Sequence, residues 1–136
     1  MAYLLDTNVC IALINGSSAP VRARFAKVIE SREPVCVPAV SAHELWYGVA
    51  KSVQKETNAA RLQKFLDGPV QLLEFTSDDA RRAGEIRSRL ERAGRPIGAY
   101  DVLLAGQALH RKLTLVTANT REFARVMGLV WEDWAA

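Results

Sequence analysis

The chain has few of the residues that build disulfide or metal–thiolate sites. Its two cysteines, Cys10 and Cys36, lie in apolar runs and form no C-x-x-C pair. They are too few for a disulfide framework or a zinc site, so we expect two buried free thiols, which suit a reducing cytoplasm. Repeats, linkers and low-complexity stretches are also missing, and we expect one domain over residues 1–136.

Long hydrophobic runs are absent too. No apolar run approaches the roughly 20 residues that a membrane-spanning helix needs. Near the amino terminus, Asp6 interrupts the apolar residues before a signal-peptide core could form. We therefore expect a soluble, cytoplasmic protein with no membrane partner.

Neither sign of charge dominates, because 18 Lys and Arg residues stand against 15 Asp and Glu residues, for a net charge of +3. This excess is compatible with a polyanionic partner but too small to establish one. Its placement is more informative, because six arginines lie within fifteen residues: Arg81, Arg82, Arg87, Arg89, Arg92 and Arg95. They predict a solvated helix face with the pairs Asp78–Arg82 and Glu85–Arg89, or a surface that contacts phosphates, and the two are not exclusive.

Short apolar runs alternate with longer helical patterns, which is typical of a parallel α/β sheet. Strands are predicted at Tyr3–Leu5, Pro34–Val37, Val70–Phe75 and Leu113–Thr117, with a weak one at Leu129–Trp131. Helices are predicted at Thr7–Ile14, Pro20–Glu30, Ser41–Val53, Glu56–Leu66, Asp78–Arg92, Ala99–Arg111 and Thr120–Val126. Their order and number predict a three-layer α/β/α sandwich.

Two carboxylates are expected at the carboxyl ends of strands, where open parallel sheets collect ligands. Asp6 follows the first strand and is also a good N-cap for the helix after it. Glu44 belongs to a capping-box pattern in which it would reach back to the backbone N–H of Ser41. The capping and ligand roles can coexist, because one oxygen can accept a backbone hydrogen bond while the other binds an ion.

Capping explains Asp101 least well. On a helical wheel it shares a face with Leu104, Ala105 and Ala108, where an unpaired carboxylate would be costly. Gly98, shortly before it, would let the backbone approach closely. Acids from three segments that meet at one sheet edge would favour Mg²⁺ or Mn²⁺ over zinc, since no His or Cys joins them.

A fourth contribution is expected after the fourth strand, from Asn119 and Glu122, which are spaced like another capping box. Asn119 alone would be a neutral ligand or a cap, and Glu122 adds a charge if its side chain turns inward. His43 and His110 are not expected to take part, because His43 lies on a different helical face from Glu44 and His110 on the polar side of its helix.

Four segments in this order closely resemble the motifs of PIN domains, and most closely those of the VapC toxins of bacterial VapBC toxin–antitoxin pairs. They are Leu5-Asp6-Thr7-Asn8, Ser41-Ala42-His43-Glu44-Leu45, Ile97-Gly98-Ala99-Tyr100-Asp101 and Val116-Thr117-Ala118-Asn119-Thr120-Arg121-Glu122-Phe123. The resemblance continues to Trp131-Glu132-Asp133-Trp134 and so covers the whole chain.

The resemblance implies a PIN-like sandwich and an Mg²⁺-dependent endoribonuclease. The family's acids map onto Asp6, Glu44 and Asp101, and its supporting polar residues onto Thr7, Asn8, Ser41 and Thr117. The family often has aspartate at the position of Asn119, and some relatives use an acid at that of Glu122. The resemblance also implies a homodimer and a VapB-like antitoxin whose C-terminal segment blocks the active groove. It implies tRNA as the substrate, initiator tRNA included, although other relatives cut ribosomal RNA.

On this hypothesis Asp6 and Asp101 hold the ion, Glu44 ligates it or orients the attacking water, and Glu122 assists. Arginines on the rim would contact phosphates, and those proposed are Arg81, Arg82, Arg87, Arg89 and Arg121. Trp46 and Tyr47 could stack on bases, with packing in the core or at an interface as the alternative.

Two other functions are considered. A phosphatase of the haloacid-dehalogenase type also has an aspartate after its first strand, but it needs a second acid two residues later, where this chain has Asn8. A catalytically weak PIN-like module that binds RNA or protein is the other alternative, and Asn119 is the residue that favours it.

Overall fold

The computed structural model describes all 136 residues. The strands are β1 (Tyr3–Leu5), β2 (Val35–Pro38), β3 (Gln71–Leu73), β4 (Thr114–Val116) and β5 (Trp131–Glu132). The helices are α1 (Thr7–Asn15), α2 (Ala19–Glu30), α3 (Ala39–Ala50), α4 (Lys55–Leu66), α5 (Ser77–Arg92), α6 (Ala99–Arg111) and α7 (Thr120–Phe123). Each predicted element is present, with ends that differ by a few residues.

The strands form one parallel sheet in the order β3-β2-β1-β4-β5. In the central strand β1, Leu4 lies opposite Cys36 of β2 and Leu115 of β4. The carboxyl ends of β1 and β4 are therefore adjacent, and the backbone N–H of Asp6 donates to the carbonyl of Val116 at 3.1 Å. This pairing determines which loops meet at the functional edge of the sheet.

Helices cover both faces of the sheet, because successive strand residues point to opposite sides. Tyr3 and Leu5 pack with residues of α1, α2, α3 and α4. Leu4, between them, packs in a second cluster with residues of α5, α6 and α7. The predicted three-layer α/β/α sandwich is thereby confirmed. No helix is long and apolar enough to span a bilayer.

Helices α5 and α6 form a closely packed antiparallel pair. A Cβ at Gly106 would lie 2.7 Å from the backbone of Ala83, so this approach requires glycine in α6. Near the start of α5, the fully buried Asp79 accepts hydrogen bonds from Arg111 at the end of α6, both at 3.2 Å. The turn at residues 93–98 closes the other end of the pair and leads directly to Asp101.

The capping box of α5 was not identified from the sequence. Thr76 is the N-cap, and its backbone N–H donates to Oδ2 of Asp79 at 2.8 Å, while the Asp79 N–H donates to the Thr76 hydroxyl at 3.3 Å. Burial opposes ionisation of Asp79, but the hydrogen bonds and charge of Arg111 and the bonds from Thr76 prevail and hold its pKa below the ordinary value.

On the exposed side of α5, the predicted pairs Asp78–Arg82 and Glu85–Arg89 are not formed, and this prediction was wrong. The ion pair that forms there is Arg87–Glu91, at 2.9 Å and also four residues apart. Exposed pairs of this kind contribute little free energy, so helical spacing alone does not decide which of them form. The cysteine prediction is confirmed, because Cys10 and Cys36 are free and buried.

Candidate functional site

Asp6 lies directly beyond β1 and is the N-cap of α1, which confirms its predicted capping role. Its Oδ1 accepts a hydrogen bond of 2.9 Å from the backbone N–H of Val9. Burial and the charges of Glu44 and Asp133 outweigh the hydrogen bonds from Thr117 and Val9, and they raise the pKa of Asp6 above its ordinary value. The capping hydrogen bond from Val9 therefore does not offset the free-energy cost of burying Asp6 in its charged form.

Glu44 lies in the second turn of α3, and the predicted Ser41–Glu44 capping box was wrong. Helix α3 follows β2 without a connecting residue, so Pro38 is the N-cap and Ser41 is already the third helical residue. The buried Ser41 hydroxyl donates instead to the carbonyl of Leu5 at 3.5 Å. Glu44 therefore makes no capping hydrogen bond to the start of α3. Instead, its Oε1 accepts a hydrogen bond of 2.6 Å from the Thr7 hydroxyl.

Asp101 is the third residue of α6 and makes no side-chain capping bond. A Cβ at Gly98, the N-cap, would lie 3.0 Å from Oδ2 of Asp101, so glycine at this position leaves room for the Asp101 side chain. Burial, then the carboxylates of Glu122, Asp6 and Glu44, raise the pKa of Asp101 from 3.8 to about 6. The four acids therefore interact with one another.

Glu122 is turned toward Asp101 by its neighbours in the short helix α7. The Asn119 side-chain amide donates to Oε2 of Glu122 at 3.2 Å. The predicted Asn119–Glu122 capping box was wrong, because Asn119 makes no side-chain cap bond and lacks the extended backbone of an ordinary cap. Its backbone N–H donates to the Thr117 hydroxyl at 2.9 Å, which ties this loop to the end of β4.

The cluster of Asp6, Glu44, Asp101 and Glu122, called the acid cluster below, has no cationic partner. The ion pairs of the protein are all elsewhere, at Arg24–Glu132, Arg87–Glu91 and Arg111–Asp79. No group of three His, Cys, Asp or Glu side chains is arranged so that it could hold a metal ion as the side chains stand. The donors are nevertheless all oxygens, which are the ligands of hard divalent cations, and a cation would relieve their mutual repulsion.

The other predicted residues divide into three groups. Thr7 and Thr117 contact the acid cluster, and Ser41 bonds to the backbone beside it. Asn8 is exposed and makes no side-chain hydrogen bond. The predicted arginines are all exposed, on α5 and, for Arg121, on α7.

The antiparallel packing of α5 and α6 separates the ends of the arginine group. Arg81 lies near the end where Asp79 meets Arg111, about 15 Å along α6 from Asp101 at 1.5 Å per residue. Arg95 lies in the turn that leads to Asp101, and the Arg125 guanidinium donates to the carbonyl of Pro96 in the same turn at 2.9 Å. Within the predicted arginine group, Arg95 is therefore the member closest along the chain to Asp101, and Arg121 directly precedes Glu122.

Asp133 was missed as a neighbour of the site. Its charge contributes to the raised pKa of Asp6. It follows β5, which pairs with β4 at the edge of the sheet. No local pattern in the sequence indicates this position, since strand order brings it there.

A cavity of about 300 Å³ opens beside Glu44 between α1, α3 and α4. Half of its lining residues are hydrophobic, and Glu44, Asn15 and Arg61 are among the polar ones. The Arg61 guanidinium donates to the Asn15 side chain at 3.0 Å. The cavity continues the site on the side away from α6.

Comparison with known proteins gives a consistent result. The family model of the PIN domain matches residues 3–129. The chain is 41% identical to a tRNA(fMet)-specific endonuclease VapC of Shigella flexneri, over 99% of both chains. It is similar to VapBC2 of Rickettsia felis bound to a promoter DNA fragment, with TM-score 0.91, 34% identity and coverage of 98% and 99%. It is also similar to DNA-bound VapBC of Salmonella typhimurium, with TM-score 0.89, 36% identity and 98% coverage of each chain.

Proposed function

Because the chain belongs to the PIN-domain family, and within it to the VapC ribonucleases, we propose that the acid cluster is its active site and that it hydrolyses phosphodiester bonds of RNA with a divalent cation. One observation carries the assignment of the site: four carboxylates from four separate segments interact with one another and have no cationic partner. Such an arrangement is unfavourable in the protein alone, and it favours a role in which a cation is recruited.

The metal we propose is Mg²⁺, with Mn²⁺ as the alternative. Asp6 and Asp101 would hold it directly, and Glu44 would ligate it or orient a water molecule. When bound, the ion supplies charge neutralisation at the phosphate and a lowered pKa for water. The all-oxygen donor set fits this choice.

The surrounding residues position the carboxylates. Thr7 fixes one oxygen of Glu44 and leaves the other free. The Val9 N–H donates to Oδ1 of Asp6, and a hydrogen bond from Thr117 also supports this carboxylate. Asn119 directs Glu122 toward the cluster, and this supports an active enzyme rather than a catalytically weak binding module, because Asn119 acts here as a support for a charged residue.

Burial is the largest cause of the raised pKa of Asp101, and the charge of Glu122 is the next. A carboxyl group whose pKa lies near 6 can change protonation state close to neutral pH, as a general acid or base must. We assign this exchange to Asp101 in the metal-free protein, and we propose that Glu122 assists in the reaction.

The substrate we propose is tRNA, and initiator tRNA in particular, as the name of the Shigella flexneri relative states for that protein. The acid cluster repels phosphates in the absence of a cation, so RNA must be held at the rim. Arg121 and the arginines of α5 are the residues proposed for these contacts, with those nearest the α5–α6 turn best placed.

The partner we propose is a VapB-like antitoxin, since the similar structures are VapBC assemblies. The cavity beside Glu44, which has both apolar and polar lining residues, is a suitable site for its C-terminal segment, which would block access to the acid cluster. A toxin homodimer within a toxin–antitoxin hetero-oligomer, in the cytoplasm, completes this proposal.

The test is metal-dependent cleavage by purified protein. Wild type should cleave initiator tRNA with Mg²⁺, lose activity in EDTA and regain it when Mg²⁺ is added. Asp101→Asn should lower the cleavage rate by at least about a hundredfold while the protein stays folded, because the proposed ligand set loses one charge. Full activity in EDTA, or an active Asp101→Asn variant, would show that the acid cluster is not the site.

A further inference from the structure

His43 and Tyr100 form an aromatic pair across the start of α3 and the start of α6. Their ring centroids lie 5.9 Å apart with an interplanar angle of 57°, and the Tyr100 hydroxyl lies 3.5 Å from Nε2 of His43. Each residue directly precedes an acid of the cluster, since His43 is followed by Glu44 and Tyr100 by Asp101. The pair therefore lies at the rim of the acid cluster.

Both rings are accessible to a ligand. Tyr100 is 47% exposed, and His43 is exposed as well. Their contact is tilted, with 57° between the ring planes, so neither ring covers the face of the other. This ring surface is available to a ligand, and the chemistry of the neighbouring residues limits which ligand it can be.

The charge of the surroundings limits what this rim can bind. The pair lies beside four carboxylates that have no cationic partner, so an anionic group is repelled there. A nucleobase is neutral and has a flat π face, and it can stack on an aromatic ring without bringing charge near the acids. An RNA strand that enters the site can thus place a phosphate at the acid cluster and the adjacent base on the rim.

On the basis of the proposed ribonuclease function, we propose that Tyr100, supported by His43, stacks on the base of a nucleotide that flanks the scissile phosphate. Tyr100 supplies the stacking surface, and His43 supports the ring by packing against it. The pair takes no part in the chemistry of hydrolysis. It contributes to substrate binding and to the choice of an unpaired region of RNA, where bases can leave their own stack.

The experiment compares Tyr100→Ala and Tyr100→Phe on a short RNA that spans the cut mapped in wild type. Loss of a stacked base–ring contact should raise the KM of Tyr100→Ala about tenfold, with kcat at saturating RNA close to wild type. Tyr100→Phe keeps the ring and should stay within about twofold of wild type. If KM rises as much in Tyr100→Phe as in Tyr100→Ala, the stacking role is overturned.

Abasic RNAs make the test specific to a base. Wild type is assayed on a set of these RNAs, each with one abasic nucleotide. At one position that flanks the cut, the abasic nucleotide should raise the KM of wild type as much as Tyr100→Ala raises it on intact RNA. On the RNA that is abasic at that position, the KM of Tyr100→Ala should be no higher than on intact RNA. If Tyr100→Ala raises KM above that of wild type by the same factor on every RNA, intact or abasic, the proposal is overturned.

If the His43–Tyr100 pair instead contacts a second copy of the chain, the experiment gives a different result. Tyr100→Ala would then shift sedimentation toward monomer, and its activity would recover at high protein concentration, which would also overturn the proposal. Failure of the proposed function is separate, because wild type would then cleave none of the intact RNA. If wild type cleaves and Tyr100→Ala matches it throughout, the stacking proposal alone is wrong.

Discussion

The Thr7 hydroxyl donates a hydrogen bond of 2.6 Å to Oε1 of Glu44 and so joins the first residue of α1 to the second turn of α3. Thr7 directly follows Asp6, whose own Oδ1 is held by the backbone of α1. One helix start thus orients two of the four carboxylates. Hydrogen bonds that fix the orientation of carboxylates in this way preorganise a metal site.

Replacement of Thr7 tests this positioning. Thr7→Val removes the hydroxyl at similar volume, and a hydrogen bond to a charged group contributes about 1.5–3 kcal/mol, so the Mg²⁺ concentration for half-maximal cleavage should rise about tenfold or more. Thr7→Ser keeps the hydroxyl and should remain near wild type. If the two variants need the same Mg²⁺ concentration, the hydrogen bond does not position Glu44 for the metal.

The raised pKa of Asp101 predicts an unusual pH dependence of stability. Its pKa in the folded protein is about 6, against 3.8 ordinarily, so the folded state binds this proton more tightly than the unfolded state. The free energy of unfolding contributed by this group is therefore highest below about pH 4 and is lost as the pH rises through about 6. Asp101→Asn lacks this dependence because its amide stays neutral.

Thermal melts of metal-free protein measure the effect. Wild type and Asp101→Asn should melt together near about pH 4, and at about pH 7.5 Asp101→Asn should melt several degrees higher. Asp78→Asn, at an exposed position on α5, should melt no higher than wild type at either pH. An Asp101→Asn variant that is less stable at neutral pH would show that the carboxylate has a structural partner.

The buried ion pair of Asp79 and Arg111 should matter for stability. Arg111→Met keeps the length and apolar stem of the side chain but leaves the fully buried Asp79 carboxylate without its charge partner, at a cost of about 3–5 kcal/mol. Arg87→Met removes the exposed pair with Glu91 and should cost less than about 1 kcal/mol. Urea unfolding of both variants checks the difference, and equal losses would contradict it.

Salt dependence of RNA binding tests the proposed basic rim. Arg95→Gln combined with Arg121→Gln should weaken binding and reduce the salt slope by about 0.7–0.9 for each lost phosphate contact. Arg81→Gln combined with Arg82→Gln removes the same charge at the far end of α5 and should have a smaller effect. Affinity is measured with Asp101→Asn protein in the presence of Mg²⁺, because its slow cleavage leaves the RNA intact during the measurement. A larger loss for the Arg81 and Arg82 pair would place the RNA along the opposite end of the helix.

Much of the site was predictable because strand ends and helix starts are encoded locally. The order of strands and helices follows from the alternation of short apolar runs with helical patterns, which reflects local backbone geometry. Asp101 could be singled out because a carboxylate on an apolar helix face has a large desolvation cost. The roles of Asp6, Glu44, Asp101 and Glu122 in catalysis stay predictions.

The errors were all in contacts that compete at similar energies. Two capping boxes were predicted at Ser41–Glu44 and Asn119–Glu122, and the one that forms is Thr76–Asp79. A cap contributes about 1 kcal/mol, so a helix that begins two residues earlier, or a partner from another segment, is enough to replace it.

The sequence by itself determined where the strands and helices lie and which acidic residues stand near their ends, because hydrophobic period and residue type act over a few neighbouring positions. Tertiary structure decided which acids meet. The order of strands puts Asp6 beside Thr117, and the packing of α3 and α6 against the same edge brings Glu44, Asp101 and Glu122 within reach of one another. Burial and long-range pairing raise the pKa values of Asp6 and Asp101, and both effects exist only once the chain is folded.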